Sequence, residues 1–171
     1  MTIKSLVNCS KKQTKMAEKI GEVIPEQIHL LAARVIKYKI DSSDEYLENP
    51  ISPQGLEFSL AKDIAHNFDE EMARYRLYFE LIGMKNENEK LELEAEIGIE
   101  FHFKIENFKQ FLKESKDETQ VSLDIAASLM AIAYSTSRGM ILEKTQNTYF
   151  NGIIIPVIDA TKFLLKDELI D

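Results

Sequence analysis

The chain has 171 residues, enough for one domain with a substantial buried core. Apolar residues make up 44% of it and charged residues 29%, which excludes a disordered or fibrous protein. The net charge of −8, without a basic cluster, argues against a partner bound through its phosphates, so we expect no nucleic-acid binding.

Residues 1–25 are predicted to form an N-terminal arm or short helix, and residues 26–171 a single domain. The residues before Cys9 resemble the start of a lipoprotein signal. Their apolar stretch is too short for such a signal, so we expect no export. Cys9 is the single cysteine, so an intrachain disulfide is impossible and a cytoplasmic location is expected. No run approaches the roughly 18 apolar residues of a membrane span, so we expect no membrane insertion.

Four segments after the arm alternate between apolar and polar residues, the pattern of strands with one buried face. The first covers residues 28–40, where Ala32 and Ile36 are assigned to the apolar side and Arg34 breaks the alternation. A loop is predicted at 42–55, which is rich in turn-forming residues. The other three strands are predicted within 56–68, 73–81 and 91–105.

Short polar turns join the last three of these strands. Asp69-Glu70-Glu71 precedes the third strand and Asn86-Glu87-Asn88 precedes the fourth. Short connections predict antiparallel pairing in a meander. One face of such a sheet can be exposed to solvent. We expect the rest of the chain to pack against the other, apolar face.

Residues 121–144 predict one long helix with Ser122 as its N-cap. The helix is rich in Ala and Ser and has few long charged side chains, so we expect burial on more than one side. A second copy of the chain is the natural second cover. The expected contact residues are Ala127, Ala131, Tyr134 and Arg138.

The apolar segment that follows the long helix contains Pro156, so it is predicted to be extended but not a central strand. A short helix is then predicted from Asp159 to about Leu169. The predicted fold class is α+β, with a four-stranded antiparallel meander sheet covered by a long helix and a short C-terminal helix.

This order of elements resembles the SecB family of protein-export chaperones. Ser137-Arg138-Gly139 is similar to the family's Ser-Arg-Gly, and Pro156-Val157, Asp159-Ala160 and Phe163-Leu164 are similar to its Pro-Val…Asp-Ala-Leu-Phe ending. The architecture covers residues 28–165, while the first half matches by pattern alone. The resemblance implies a homotetramer, a dimer of dimers packed through the long helices, that holds unfolded polypeptide clients without ATP.

Two sets of residues are candidates for binding. In SecB-like proteins a translocation ATPase docks on the exposed sheet face, and like charges about 7 Å apart favour a basic ligand. The corresponding residues here are Glu92, Glu94, Glu96 and Glu100. Apolar residues after the long helix would hold extended peptide: Tyr149, Phe150, Ile153, Ile154 and Ile155. For the first set the alternative is a solvated face, and for the second a segment that closes the core.

Catalysis has little support in the sequence. No nucleophile-and-base motif, phosphate-binding loop or dinucleotide fingerprint is present, so we expect no enzyme, no catalytic residue and no cofactor. Glu100, His102 and His66 are weak candidates for a metal site, but a wet sheet face explains them and no metal is expected.

The predicted function is therefore that of an ATP-independent chaperone. One alternative is a dedicated interaction module that binds a single protein, for example beside a toxin–antitoxin pair. Another is a monomeric small-ligand carrier or enzyme with an enclosed pocket.

Overall fold

The computed structural model describes residues 21–114 and 119–166, so most of the predicted N-terminal arm lies outside the described residues. The main sheet consists of β1 (Ile28–Ser42), β2 (Gly55–Asn67), β3 (Met72–Asn86) and β4 (Glu89–Ile105). The helices are α1 (Asp44–Glu48), α2 (Leu123–Thr145) and α3 (Ala160–Leu165). The described elements also include two short paired strands, β5 (Leu112–Glu114) and β6 (Thr119–Val121), and 3-10 turns at Pro25–Gln27 and Phe108–Phe111.

All pairings in the main sheet are antiparallel, and the strand order is β1-β4-β3-β2. Strands β2 to β4 form the predicted meander. Strand β1 joins this meander on the far side of β4, because the connection at residues 43–54 is long enough to cross the sheet. The most regularly alternating strand, β4, thus lies inside the sheet, and β1 and β2 are its edges.

The alternation along β1 is interrupted twice, which the sequence did not indicate. The pairing with β4 shifts at Leu31 and again at Ile36, as in β-bulges. Each extra residue moves the following side chains to the opposite face of the sheet. The assignment of Ala32 and Ile36 to the apolar face was therefore wrong: Ala33 and Val35 lie opposite the core residues of β4, and Arg34 is regular.

The core lies between one face of the sheet and α2, which packs across β3 and β4. Aromatic and aliphatic side chains of alternate residues on these strands are almost fully buried, among them Tyr75, Phe79, Ile97, Phe101 and Phe103. Burial of each large apolar side chain stabilises the fold by roughly 1.5–3 kcal/mol. The helix contributes a matching set of buried residues: Ile125, Leu129, Met130, Ala133, Tyr134, Ser137, Ile141 and Thr145.

Helix α2 is also long and apolar enough to cross a membrane, with a mean hydropathy of 1.3. The core helix of a globular domain can have the same length and composition, so this property alone is weak support for a membrane span. Since one side of α2 packs on the sheet, we treat it as a core helix.

The ends of the helices are close to the expected positions. Ser122 precedes α2 as predicted, but its hydroxyl is buried and makes no capping hydrogen bond. The side chain of Asp159 caps α3 by accepting a hydrogen bond from the Lys162 amide. The predicted continuation of α3 to Leu169 lies partly outside the described residues.

Candidate functional site

The crossover segment, residues 146–158, connects α2 to α3 and contains all five predicted polypeptide-binding residues. Gly152, with a φ of 82°, allows the chain to turn before residues 153–158, which lie outside helices and strands. Phe150 and Ile155 are buried, at 0% and 1% exposure, and Ile153 is half-buried. Tyr149 and Ile154 are exposed, at 43% and 65%. The segment thus both closes the core and presents apolar side chains to solvent.

Two predicted interface residues contact this segment within the same chain. The Tyr134 hydroxyl donates a hydrogen bond of 2.6 Å to the Pro156 carbonyl, and Arg138 Nε donates one of 2.7 Å to the Ile155 carbonyl. Tyr134 is buried, so its side chain packs inside the protomer. Its burial also raises the pKa of the Tyr134 hydroxyl, which therefore stays protonated and able to donate.

A second run of exposed apolar residues comes from the connection between β1 and β2. Leu47 on α1 and Ile51 after it are 45% and 43% exposed. The ring of Tyr46 packs edge-on against Tyr149 with 5.3 Å between centroids, and its hydroxyl donates to the Ile51 carbonyl at 2.7 Å. Because of these contacts, the α1 connection lies directly beside the crossover segment.

The two runs together form what we call the apolar end surface. It consists of the exposed or half-exposed residues Leu47, Ile51, Tyr149, Ile153, Ile154 and Val157. Val157 is the most exposed large apolar residue among those described, at 76%. A depression of about 270 Å³ lies between residues 53–56 and residues 151–154, at the edge of the sheet. Sequence reasoning missed Leu47 and Ile51 because they lie in a segment predicted to be a loop, although Ser43-Asp44-Glu45 is a typical helix start.

The four predicted partner-binding glutamates lie on the uncovered face of β4, but their surroundings differ. Glu100 accepts hydrogen bonds from Arg76 Nε at 2.7 Å and shares one of 2.8 Å with His102. The contacts with His102 and Arg76 lower the pKa of Glu100. Glu96 forms an ion pair with Lys37, which lowers the pKa of Glu96. Cations of the same sheet therefore neutralise these two carboxylates.

The other two glutamates of this set lie toward one end of the same face. Glu92 and Glu94 are exposed and form no ion pair with any residue in the ranges described above. With Asp41 and Ile82 they border an open depression of about 600 Å³. The two glutamates of this set without an ion pair among the described residues thus lie at this end, where Lys90, paired with Glu57, also borders the depression.

The three weak metal candidates do not come together. His66 lies on the inner side of β2 opposite Ala73, whereas Glu100 and His102 lie on the outer face of β4. The His66 ring stacks on Phe68 at 5.8 Å and meets Phe108 edge-on at 5.7 Å. This burial lowers the pKa of His66. His66 is therefore a half-buried member of an aromatic cluster on the inner side of the sheet.

The remaining predicted interface residues lie on the side of α2 turned away from the sheet. Ala131 is exposed there and Ala127 half-buried, together with exposed Ser135 and Gly139. A methyl group added at Gly139 would meet no atom within 4 Å. At these positions the outer side of α2 therefore carries small side chains and is largely uncovered in the single protomer.

No protein-family model matches the chain, and no curated protein matches its sequence. Among solved structures, the fold is similar to a SecB-like chaperone of Mycobacterium tuberculosis solved in complex with a peptide from an antitoxin, with a TM-score of 0.52 and 10% identity. The match covers 78% of this chain and 91% of that one. A protein of unknown function from Streptococcus agalactiae matches at a TM-score of 0.32 and 13% identity, covering 76% of this chain and 97% of that one. The chain thus has the SecB-like α+β fold.

Proposed function

We propose that this protein is an ATP-independent chaperone that holds non-native polypeptide at the apolar end surface. The observation that carries the proposal is the exposure of Ile154 and Val157, at 65% and 76%, beside buried Ile155. Apolar residues that a chain displays in a contiguous group, instead of burying them, typically mark a binding site. The SecB-like fold supports the same reading.

The geometry also offers backbone hydrogen bonds to a client. Within the described sheet β2 is an edge strand, paired on one side with β3. An extended client can add to such an edge through its main chain, while its side chains contact the apolar residues alongside. Both kinds of contact tolerate many sequences, and neither requires nucleotide hydrolysis. We therefore propose no catalytic step and no cofactor.

The proposal includes assembly through the outer side of α2, into the homotetramer that the family resemblance implies. Small residues permit close approach of a second backbone. The space beside Gly139 is open, because a methyl group added there would meet no atom of the protomer within 4 Å. The single cysteine fits a reducing compartment, and a cytoplasmic location belongs to the proposal.

The test is suppression of client aggregation in the absence of ATP. The wild-type protein should keep several thermally unfolding clients in solution, and Ile154→Ser with Val157→Ser should weaken this activity without loss of folding. Ile36→Ser is the matched control, because Ile36 is 45% exposed on another part of the surface. Failure of the wild-type protein with several clients at stoichiometric excess would overturn the proposal.

A second candidate is a dedicated module for one protein partner. Its support is the depression beside Glu92 and Glu94, whose charge suits a basic segment with an apolar side chain to contact Ile82. The partner would be a translocation ATPase or a member of a toxin–antitoxin pair. This candidate predicts tight, salt-sensitive binding to one protein, weakened by Glu92→Gln and Glu94→Gln. Such binding without aggregation suppression would select it over the chaperone.

A further inference from the structure

Two side chains of α2 bind consecutive carbonyls of the crossover segment. Tyr134 and Arg138 are four residues apart and therefore lie on the same side of the helix, one turn from each other. The Tyr134 hydroxyl reaches the Pro156 carbonyl at 2.6 Å and Arg138 Nε reaches the Ile155 carbonyl at 2.7 Å. These contacts tie the middle of the segment to the core helix.

The two hydrogen bonds hold the backbone at Ile155 and Pro156 against α2. Residues 153–159 contain neither a turn nor a bend. In that conformation Ile155 enters the core at 1% exposure, while Ile154 and Val157 face outward. Because residues 153–158 belong to no sheet or helix, their carbonyls accept hydrogen bonds from side chains or from water.

The Tyr134 donor is itself held in place. Tyr134 is 3% exposed, and its ring lies 6.0 Å from the ring of Phe79 on β3. The segment is thus anchored at Pro156 to a side chain with little freedom of its own, and half-buried Arg138 adds a second hydrogen bond beside it.

We infer that Tyr134 and Arg138 are positioning residues for polypeptide binding: they hold Ile154 and Val157 outward before a client arrives. A client then binds a surface that is already ordered, and does not have to restrict the segment itself. This inference rests on the proposed function and assigns to α2 a role in binding that is separate from assembly.

The test uses substitutions that remove the hydrogen bonds and little else. Tyr134→Phe deletes only the hydroxyl, and Arg138→Met keeps the stem but loses the donor. The probe is reduced, carboxymethylated lactalbumin, which stays unfolded. We expect its dissociation constant to rise about fivefold in Tyr134→Phe and about tenfold in Arg138→Met, as for loss of one neutral and one charged hydrogen bond. If Arg138→Met does not fold, Tyr134→Phe alone carries the test.

Hydrogen exchange and solution mass separate positioning from other roles. Amides of residues 153–158 should exchange faster in both variants, while those of β3 and β4 and the solution mass stay unchanged. Tyr38→Phe is the matched control, because it deletes a tyrosine hydroxyl that donates to the Lys144 carbonyl at 2.9 Å, away from residues 153–158. The control should bind the probe like the wild-type protein.

The outcomes distinguish this inference from the proposed function. If the wild-type protein does not bind the probe, the proposed function fails first. If the wild-type protein binds and both variants bind equally well despite faster exchange at 153–158, the inference is overturned and the proposed function stands. Weaker binding that coincides with a smaller solution mass and unchanged exchange would also overturn it, since the two residues would then act through assembly.

Discussion

At the scale of residues, the glutamates of β4 form one regular stripe in the sequence but differ in their neighbours in the fold. Glu100 is bound by Arg76 and His102, whereas Glu94 is exposed. We expect Glu100→Gln to lower the urea midpoint clearly, because two partners lose a charged acceptor. Glu94→Gln is the matched control and should change the free energy of unfolding by no more than about 0.5 kcal/mol. Equal effects would mean that the contacts of Glu100 contribute nothing.

The half-buried imidazole of His66 predicts a pH effect of a definite sign. Burial lowers the pKa of His66 below its ordinary 6.5, so the unfolded chain takes up a proton first as the pH falls. The contribution of His66 to stability is thus present above pH 6.5 and is lost as the pH falls toward its lowered pKa. We expect the urea midpoint to drop between pH 7.5 and 5.5, and to drop less in His66→Phe. The same drop in both proteins would exclude His66 as the cause.

At the scale of elements, α2 contains a glycine that the protomer does not need. Glycine in a helix interior is less favourable than alanine by about 0.8–1.0 kcal/mol, and Gly139 has open space around it. We expect Gly139→Ala to raise the stability of the protomer in urea but to weaken assembly, measured as solution mass on dilution. A more stable protein with unchanged assembly would place Gly139 outside the contact between copies.

Regular patterns predicted the elements well. Strict alternation predicted β4, and the content of small residues and the stripe of apolar residues predicted α2 within two residues at its start, Leu123 instead of residue 121. The bulges of β1 were not predictable from the sequence. A bulge shifts the apolar and polar positions that follow it by one residue, and the alternation predicted for this strand already had an exception at Arg34. Helix α1 is only one turn long. It was missed because the turn-forming residues around it predict a loop, despite the N-cap signal at Ser43.

The candidate site was predictable only in part, for a different reason. Composition indicated that the crossover segment carries apolar residues, but which of them face inward depends on Tyr134 and Arg138, contacts between distant parts of the chain. Likewise, alternation placed the glutamates on one face, while the register of β1, β3 and β4 decided which of them meet a cation. Both properties arise from tertiary neighbours, which a single sequence does not display.

At the scale of the whole molecule, the proposed assembly predicts a solution mass near four times 19.7 kDa. Ala131 is exposed in the protomer, so Ala131→Leu should fit the single chain but collide with a second copy. We expect a smaller solution mass for this variant in analytical ultracentrifugation. Ala61→Leu, at another exposed alanine on the outer sheet face, is the control and should keep the wild-type mass. A monomeric wild-type protein would remove assembly from the proposal.

The anchoring of the crossover segment through main-chain carbonyls has a consequence for how this protein can diverge. Every amino acid carries a carbonyl, so the frame does not depend on the identity of the outward-facing residues. Residues 154 and 157 can therefore be substituted without loss of the two hydrogen bonds that hold the segment. Mutation there can retune client preference within one lineage, or by design, while the shape of the segment and the packing beneath it persist.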